Sequence, residues 1–439
     1  MGGQRSLSIA MIGTRGVPAA YGGFETAVEE IGARLVERGH RVTVYCRRTP
    51  GAQPSEWRGM RLVYAPALRL KAAETLSHSA LSVLHVSVDR RHRPDAAFVF
   101  NAANAPFVPF LRGLRVPVAV HVDGLEWKRG KWRGAGRRYY RWAEAYSVRH
   151  ADSLIADARG IADYYRSVHG AATELLTYGA PIIEEPTSQA IARLGLSTRG
   201  YHLVVARFEP ENHVDVIVEG YSRSDATLPL VVVGSAPYAA EHTARITELA
   251  KSDDRIRLLG GVFDQELLDE LYSNAATYLH GHSVGGTNPS LLRAMGAGAH
   301  VIAWDVSFNR EVAGEIATYF GNVDEVSERV QEAEALPGIT AARGARLRER
   351  ARKLYDWEQV ADGYEALALR LAALRVAQGR VRSRPARASQ IGATAGPAPV
   401  TDSGSSQTAG SVAIRETQLA GSTAGSIARV DDFETRPPH

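Results

Sequence analysis

Cysteine is almost absent: the 439 residues hold one, Cys46. That excludes an internal disulfide framework and a cysteine zinc cluster, and it suits the cytoplasm. Long apolar runs are missing as well, since none approaches the roughly 20 residues that a membrane-spanning helix requires. Residues 1–15 show no separate basic region, apolar core and cleavage site, so no export signal is read there. Residues 1–6 match an N-myristoylation pattern, but an apolar strand begins at once at Leu7, and the match is treated as chance. A large excess of one charge is also lacking; a net +4 says little about partners. What is present is length and apolar content. With 45% hydrophobic residues, 439 residues exceed what one core normally holds, and two globular domains are expected.

Strand and helix signals alternate along the chain. Residues 7–12 read as a first strand, followed by a glycine-bearing loop to Glu25, a helical pattern of Val28, Ile31 and Leu35, and a second strand, 41–46. This order opens a doubly wound sheet. A dinucleotide site is disfavoured: the glycines lack the G-x-G-x-x-G spacing, and Arg47 and Arg48 stand where an acidic residue usually ends the second strand. Gly22 and Gly23 are read instead as letting backbone N–H groups line a cleft at the carboxyl ends of parallel strands. Further strands are predicted at 61–64, 96–100, 116–122, 152–156 and 175–178. A break at Gly179, Ala180 and Pro181 and a polar stretch to Gly200 form a hinge. The pattern then restarts with strands at 202–206, 228–233, 255–259, 275–279 and 300–304, which make a second parallel sheet. A helix runs from beyond Trp357 to Ala377, and residues 378–439, rich in Gly, Ser, Ala, Thr and Pro, read as a disordered tail.

The stretch 278–304 carries the clearest chemistry. Gly285 and Gly286 allow close approach of backbone to a ligand, Asn288 is placed to cap a helix with Pro289 in its first turn, and Gly296 and Gly298 are expected to end it. Loop and helix start form a cradle for phosphate or diphosphate, unless the segment is an ordinary strand-loop-helix connection. Arg207, just after the strand 202–206, either supplies a cation to the same diphosphate or makes a surface pair with Glu209 or Glu211. His121, Asp123 and Glu126 follow another strand end; they are acid/base or hydroxyl-orienting groups, or the histidine is merely hydrogen-bonded. Residues 128–141 hold Lys128, Arg129, Lys131, Arg133, Arg137, Arg138 and Arg141 among Trp132, Tyr139 and Tyr140. The mixture suits an anionic membrane surface or a phosphate-bearing acceptor, or else a solvated helix face. Nucleic acid is not expected, because no binding motif accompanies the basic run.

Four motifs, in this order, resemble the retaining glycosyltransferases of family 4. They are Ile-Gly-Thr-Arg-Gly-Val-Pro-Ala-Ala-Tyr-Gly-Gly-Phe-Glu-Thr from Ile12, Val-Asp-Gly-Leu-Glu-Trp-Lys-Arg from Val122, Ala-Arg-Phe-Glu-Pro-Glu-Asn from Ala206, and His-Gly-His-Ser-Val-Gly-Gly-Thr-Asn-Pro-Ser-Leu-Leu from His280. More narrowly they look like the bacterial branch with a rhamnosyltransferase-like N-terminal domain. The resemblance spans residues 7–374 and implies an α/β fold of two doubly wound Rossmann-like domains facing across a cleft, the GT-B arrangement. It implies an acceptor-binding domain over 1–181, a donor-binding domain over 182–354 and a helix, 355–377, crossing back to the first domain. The implied donor is a nucleotide diphosphate sugar, the acceptor a glycan or a lipid-linked glycan, and no metal or other cofactor is required.

Carried over position by position, Gly22 and Gly23 match the glycine loop near the donor phosphates and acceptor, and Arg207 matches the diphosphate arginine. Asn212 stands where the wider family has a lysine. Of the family's Glu-x7-Glu pair, Gly285 replaces the first member and Arg293 the second. A guanidinium has five donors and no acceptor, so Arg293 cannot accept hydrogen bonds from ribose as that glutamate does. Gly234, Thr287 and Ser290 complete the expected donor set; Tyr21, Glu25, Trp127 and the residues from Glu126 to Trp132 form the expected acceptor or membrane side. The reaction implied is retaining transfer of a sugar, with rhamnose suggested by the branch, in cell-surface polysaccharide synthesis. It would take place in the cytoplasm or on the inner face of the plasma membrane. The alternative is a lapsed transferase that still binds nucleotide or partner proteins, and Arg293 favours it.

Overall fold

Strand residues in this chain come as short, almost wholly apolar runs, which is what parallel strands covered on both faces require. Ala96–Phe100 is buried at every position, and so is Leu230–Val233. The computed structural model describes residues 5–19, 23–49, 51–68, 73–122, 124–130, 132–235 and 240–382, with side chains through 376. In the first half the strands are Ser8–Ile12 (β1), Arg41–Arg47 (β2), Glu56–Trp57 (β3), Met60–Ala65 (β4), Ala96–Phe100 (β5), Val118–His121 (β6), Ser153–Ala156 (β7) and Glu174–Leu175 (β8). They form one sheet in the order β3-β4-β2-β1-β5-β6-β7-β8, parallel except for the β3–β4 pair. The second half contributes His202–Val205 (β9), Leu230–Val233 (β10), Ile256–Gly260 (β11), Thr277–His280 (β12), His300–Trp304 (β13) and Thr318–Phe320 (β14). These pair in the order β11-β10-β9-β12-β13-β14.

The strand order reverses beside β1 in the first sheet and beside β9 in the second. Loops diverge at such a point and leave a crevice outside the carboxyl ends of the strands. The segments after β1, β9 and β12, those with the most distinctive glycines, all emerge there. Two strands lay outside the sequence reading. β3 is a two-residue antiparallel edge, and β14, Thr-Tyr-Phe, has no apolar run of its own. The strand predicted at 175–178 is Glu174–Leu175 instead, because the chain then leaves the sheet: the Ala180 amide donates to the Tyr355 carbonyl at 2.7 Å and the Tyr178 ring stacks on His121.

The predicted loose hinge is partly ordered. A short helix, Gln189–Arg193, lies within it, and the Glu270 carboxylate accepts its Ala190 and Ile191 amides at 2.7 and 3.0 Å. That cap comes from about 80 residues away, so local polarity did not reveal it. The last described helix, Trp357–Arg382, runs past the end predicted at Ala377, and the rest of the predicted tail lies outside the described residues. This helix packs on the first helix, Gly23–Glu37. Tyr364 meets Phe98 with ring centroids 5.1 Å apart, and Arg38 pairs with Glu358, Asp362 and Glu365 at 2.7–3.0 Å. The largest apolar cluster accordingly runs through both halves, from Ile9, Phe98 and Tyr178 to Tyr201, Tyr278 and Leu291.

Candidate active site

The helix Pro289–Ala297 begins as its residues dictate. Asn288 sits in extended backbone and its Oδ1 accepts the Ser290 amide at 3.0 Å; Pro289 fills the first helical position, where a missing N–H costs nothing. The Ser290 hydroxyl is held as well, donating to Asn288 Oδ1 at 2.7 Å and accepting from Tyr278 at 3.0 Å. Gly285 adopts φ +148°, which side-chain-bearing residues rarely adopt. Gly298, at φ +78°, ends the helix. Gly296 does not end it. It lies inside the helix, where a Cβ would come within 1.9 Å of the Pro181 carbonyl oxygen, so its smallness serves contact with the hinge.

The opposite wall comes from the first sheet. A Cβ on Gly23 would lie 2.9 Å from Pro289 Cγ, and one on Gly124 would lie 2.6 Å from Gly285 Cα. Thr287 donates to the Asp157 carbonyl at 2.6 Å, and a Cβ on Gly286 would meet the Asp157 carboxylate. Gly124, Gly130 and Asp157 were not singled out in the sequence. Asp157 directly follows β7, at the carboxyl end of a parallel strand, and that place was the available signal. Four points of near-contact thus bring the glycine loop, the segment 124–130 and the end of β7 against the phosphate cradle. Tyr21, Gly22, Asp123 and Lys131 lie outside the described residues.

The charged residues are arranged around buried acids. Arg207, 43% exposed, lies 3.4 Å from Glu209, which is 5% exposed. Arg129 holds Glu126 at 2.6 Å and reaches within 4.0 Å of the same Glu209 oxygen. Trp132 Nε1 donates to Glu126 at 3.1 Å. Burial, first, and then neighbouring His280 and the cations Arg207 and Arg129 push His282 far below the usual imidazole range. Asn212 is buried and donates to the Arg207 carbonyl at 2.8 Å, so it braces the turn under that arginine. Gly234, φ +151°, ends β10, and a Cβ there would strike the Ala206 carbonyl.

Several expected placements change. His121 is wholly buried, stacked between Phe100 and Tyr178 with Phe24 edge-on at 5.1 Å, and burial lowers its pKa to about 3. In this arrangement the ring is neutral, and both of its nitrogens are buried without a hydrogen-bond partner, so it is not the merely hydrogen-bonded histidine of the alternative. Glu25 accepts the Arg15 amide at 3.0 Å and so closes its own loop. Arg129 reaches toward Glu209 of the second half, Glu126 is held by Arg129 and Trp132, and the Trp132 ring packs on Tyr140 at 4.9 Å. The cations of Lys128, Arg137 and Arg141 lie 5.1–5.6 Å from the Trp127 ring centroid, which makes Trp127 the centre of a cation–π cluster. Arg293, read as a donor contact, is turned along the neighbouring helix Gln265–Asn274: its Nε is 3.0 Å from Asp269 and its Nη2 donates to Gln265 at 2.8 Å. The Asp compensates a cation set near a helix N-terminus.

Two doubly wound sheets whose switch points face one crevice, with a terminal helix returning to the first, define the GT-B class. Residues 22–178 match the glycosyl transferase 4-like domain family, and residues 199–335 match the glycosyl transferases group 1 family. The chain therefore carries the two domains of a GT-B glycosyltransferase. Glycogen synthase of Mycobacterium tuberculosis is 23% identical over 394 residues, 81% of this chain and 92% of that one. O-antigen chain mannosyltransferase B of Escherichia coli is 24% identical over 172 residues, 37% of this chain and 44% of that one. Among solved structures, sucrose-phosphate synthase from Thermosynechococcus elongatus is similar at TM-score 0.70 and 21% identity, over 83% of this chain and 99% of that one. Anabaena HepE in complex with UDP is similar at 0.65 and 15%, over 82% and 99%. These likenesses show the common fold.

Proposed function

We propose that the protein transfers a sugar from a nucleotide diphosphate sugar to a glycan or lipid-linked acceptor, with retention at the anomeric carbon and without a metal. Cleaving the donor bond places negative charge on the leaving diphosphate and positive charge on the sugar, so fixed cations and backbone dipoles at the diphosphate supply the main stabilisation. The observation that carries this reading is that Arg207 and the capped loop at 285–290 follow β9 and β12, neighbouring strands at the second sheet's switch point. HepE, a protein of the same fold, was solved with UDP and with UDP-glucose, which supports a uridine donor among the candidates. Rhamnose as the sugar and cell-surface polysaccharide as the product rest on the four sequence motifs. Calorimetry with UDP, GDP, ADP and dTDP tests the donor side. Arg207→Ala is expected to weaken the best of them about 10-fold or more, as loss of a charge-assisted contact implies. Unchanged affinity in a folded variant removes Arg207 from the site.

The acceptor side of the proposal places the protein in the cytoplasm, on the inner face of the plasma membrane. Among the described residues no helix is long and apolar enough to cross a membrane. The helix Ala135–His150 instead presents Arg137, Arg138 and Arg141 beside Trp142, which is 47% exposed and continues through Tyr146 and His150 as a row of tilted ring contacts. Each cation near an anionic surface contributes about 1 kcal/mol, and salt weakens it. Sedimentation with phosphatidylserine vesicles is expected to show association at low salt that is lost as salt rises. Protein left in the supernatant at low salt dismisses the membrane and leaves a solvated face.

A second reading, a lapsed transferase that retains nucleotide or partner binding, is favoured by the Arg293–Asp269 pair. In that case Arg293→Glu raises nucleoside diphosphate affinity, because ribose hydroxyls gain a charged acceptor worth about 1.5–3 kcal/mol. Lower or unchanged affinity, with turnover intact in the parent, dismisses it.

A further inference from the structure

We propose that Arg129 is a second diphosphate ligand, reaching across the cleft from the first domain to the donor site of the second. The inference rests on the donor reading above. Arg129 and Arg207 belong to opposite walls and converge on one oxygen, Glu209 Oε2, at 4.0 and 3.4 Å. Glu209 is nearly inaccessible to water and Arg129 is only 18% exposed, whereas Arg207 is 43% exposed. The geometry is prepared on the Arg129 side: Glu126 accepts from Arg129 Nε at 2.6 Å and is itself held by Trp132 Nε1 at 3.1 Å, which fixes the plane of the guanidinium. Glu209 is shared by both guanidinium groups and Glu126 pairs with Arg129 alone, so the cluster holds two cations and two acids.

A diphosphate can take both arginines at once. Its oxygens match the bidentate fork of each arginine, and the cradle at Gly285 and Gly286 lies against Gly124, five residues before Arg129 on the same segment. Bound donor would then be gripped from both domains. The Glu209 carboxylate holds both cations in place until the ligand arrives.

Calorimetry on the full chain with UDP, GDP, ADP and dTDP tests this with Arg129→Gln, Arg129→Lys and Arg207→Gln, each also followed by thermal unfolding without ligand. Arg129→Gln is expected to bind the preferred diphosphate about 10-fold more weakly and to show a shallower dependence on salt. Arg129→Lys, which keeps the charge and loses the fork, is expected to fall between them; if the glutamine variant does not fold, this variant carries the test. An Arg129 variant that binds like the parent while Arg207→Gln binds weakly overturns the inference and leaves the donor reading standing. A ligand-free midpoint lowered with affinity unchanged makes Arg129 a strut and overturns it equally. A parent that binds none of the four overturns both.

Discussion

Gly124→Ala is expected to lower kcat/KM by about 100-fold or more while both sheets stay folded, because misplacing reacting groups by about 1 Å is enough for such a loss. The new methyl would lie 2.6 Å from Gly285 Cα, 2.8 Å from its carbonyl carbon and 3.2 Å from the Gly286 nitrogen. All three are main-chain atoms on the far wall, and none can rotate aside. The two walls must part, and the groups on 124–130 move away from the cradle together. Gly124 follows a strand end and carries little of either core, so the thermal midpoint is expected to hold. Steady-state kinetics with the preferred sugar nucleotide, alongside an unfolding curve, measures both. Parent-like kcat/KM in a folded variant shows that the walls are not this close during turnover.

Gly296→Ala is expected to reduce stability, although alanine is ordinarily favoured over glycine inside a helix by about 0.8–1.0 kcal/mol. Here the methyl would lie 1.9 Å from the Pro181 carbonyl oxygen and 3.0 Å from its carbon. The same turn is tied further, since the Ile183 amide donates to the Gly296 carbonyl at 3.2 Å. Overpacking costs typically about 1–3 kcal/mol, and contact with main chain belongs at the upper end, so the net sign is destabilising. Urea unfolding reads this as a lower midpoint at unchanged slope. An alanine variant as stable as the parent would mean that the hinge yields.

The cap at Asn288 and the turn at Gly298 were legible because caps and left-handed turns are local: residues within four positions of one another satisfy the groups concerned. Gly296 was misread for the complementary reason. Its requirement comes from Pro181, more than a hundred residues away, and a second glycine near a helix end looks like a terminator when only neighbours are considered. The basic run at 128–141 shows the same divide. Its charge was plain, but whether Arg129 faces solvent or the cleft depends on where Glu126, Trp132 and Glu209 come to lie.

By itself the sequence determined the two doubly wound sheets, since short apolar runs alternating with amphipathic helices leave few other ways to bury both faces of parallel strands. It also determined the capped glycine loop and its place after a strand. The tertiary structure alone decided that His121 is a neutral ring inside a core, that Arg293 pairs with Asp269, and that Arg129 and Arg207 share Glu209. Those outcomes depend on burial and on the meeting of side chains from distant segments. A pKa, an ion pair or a shared acid is a property of the space between residues, and that space exists only once the chain has folded.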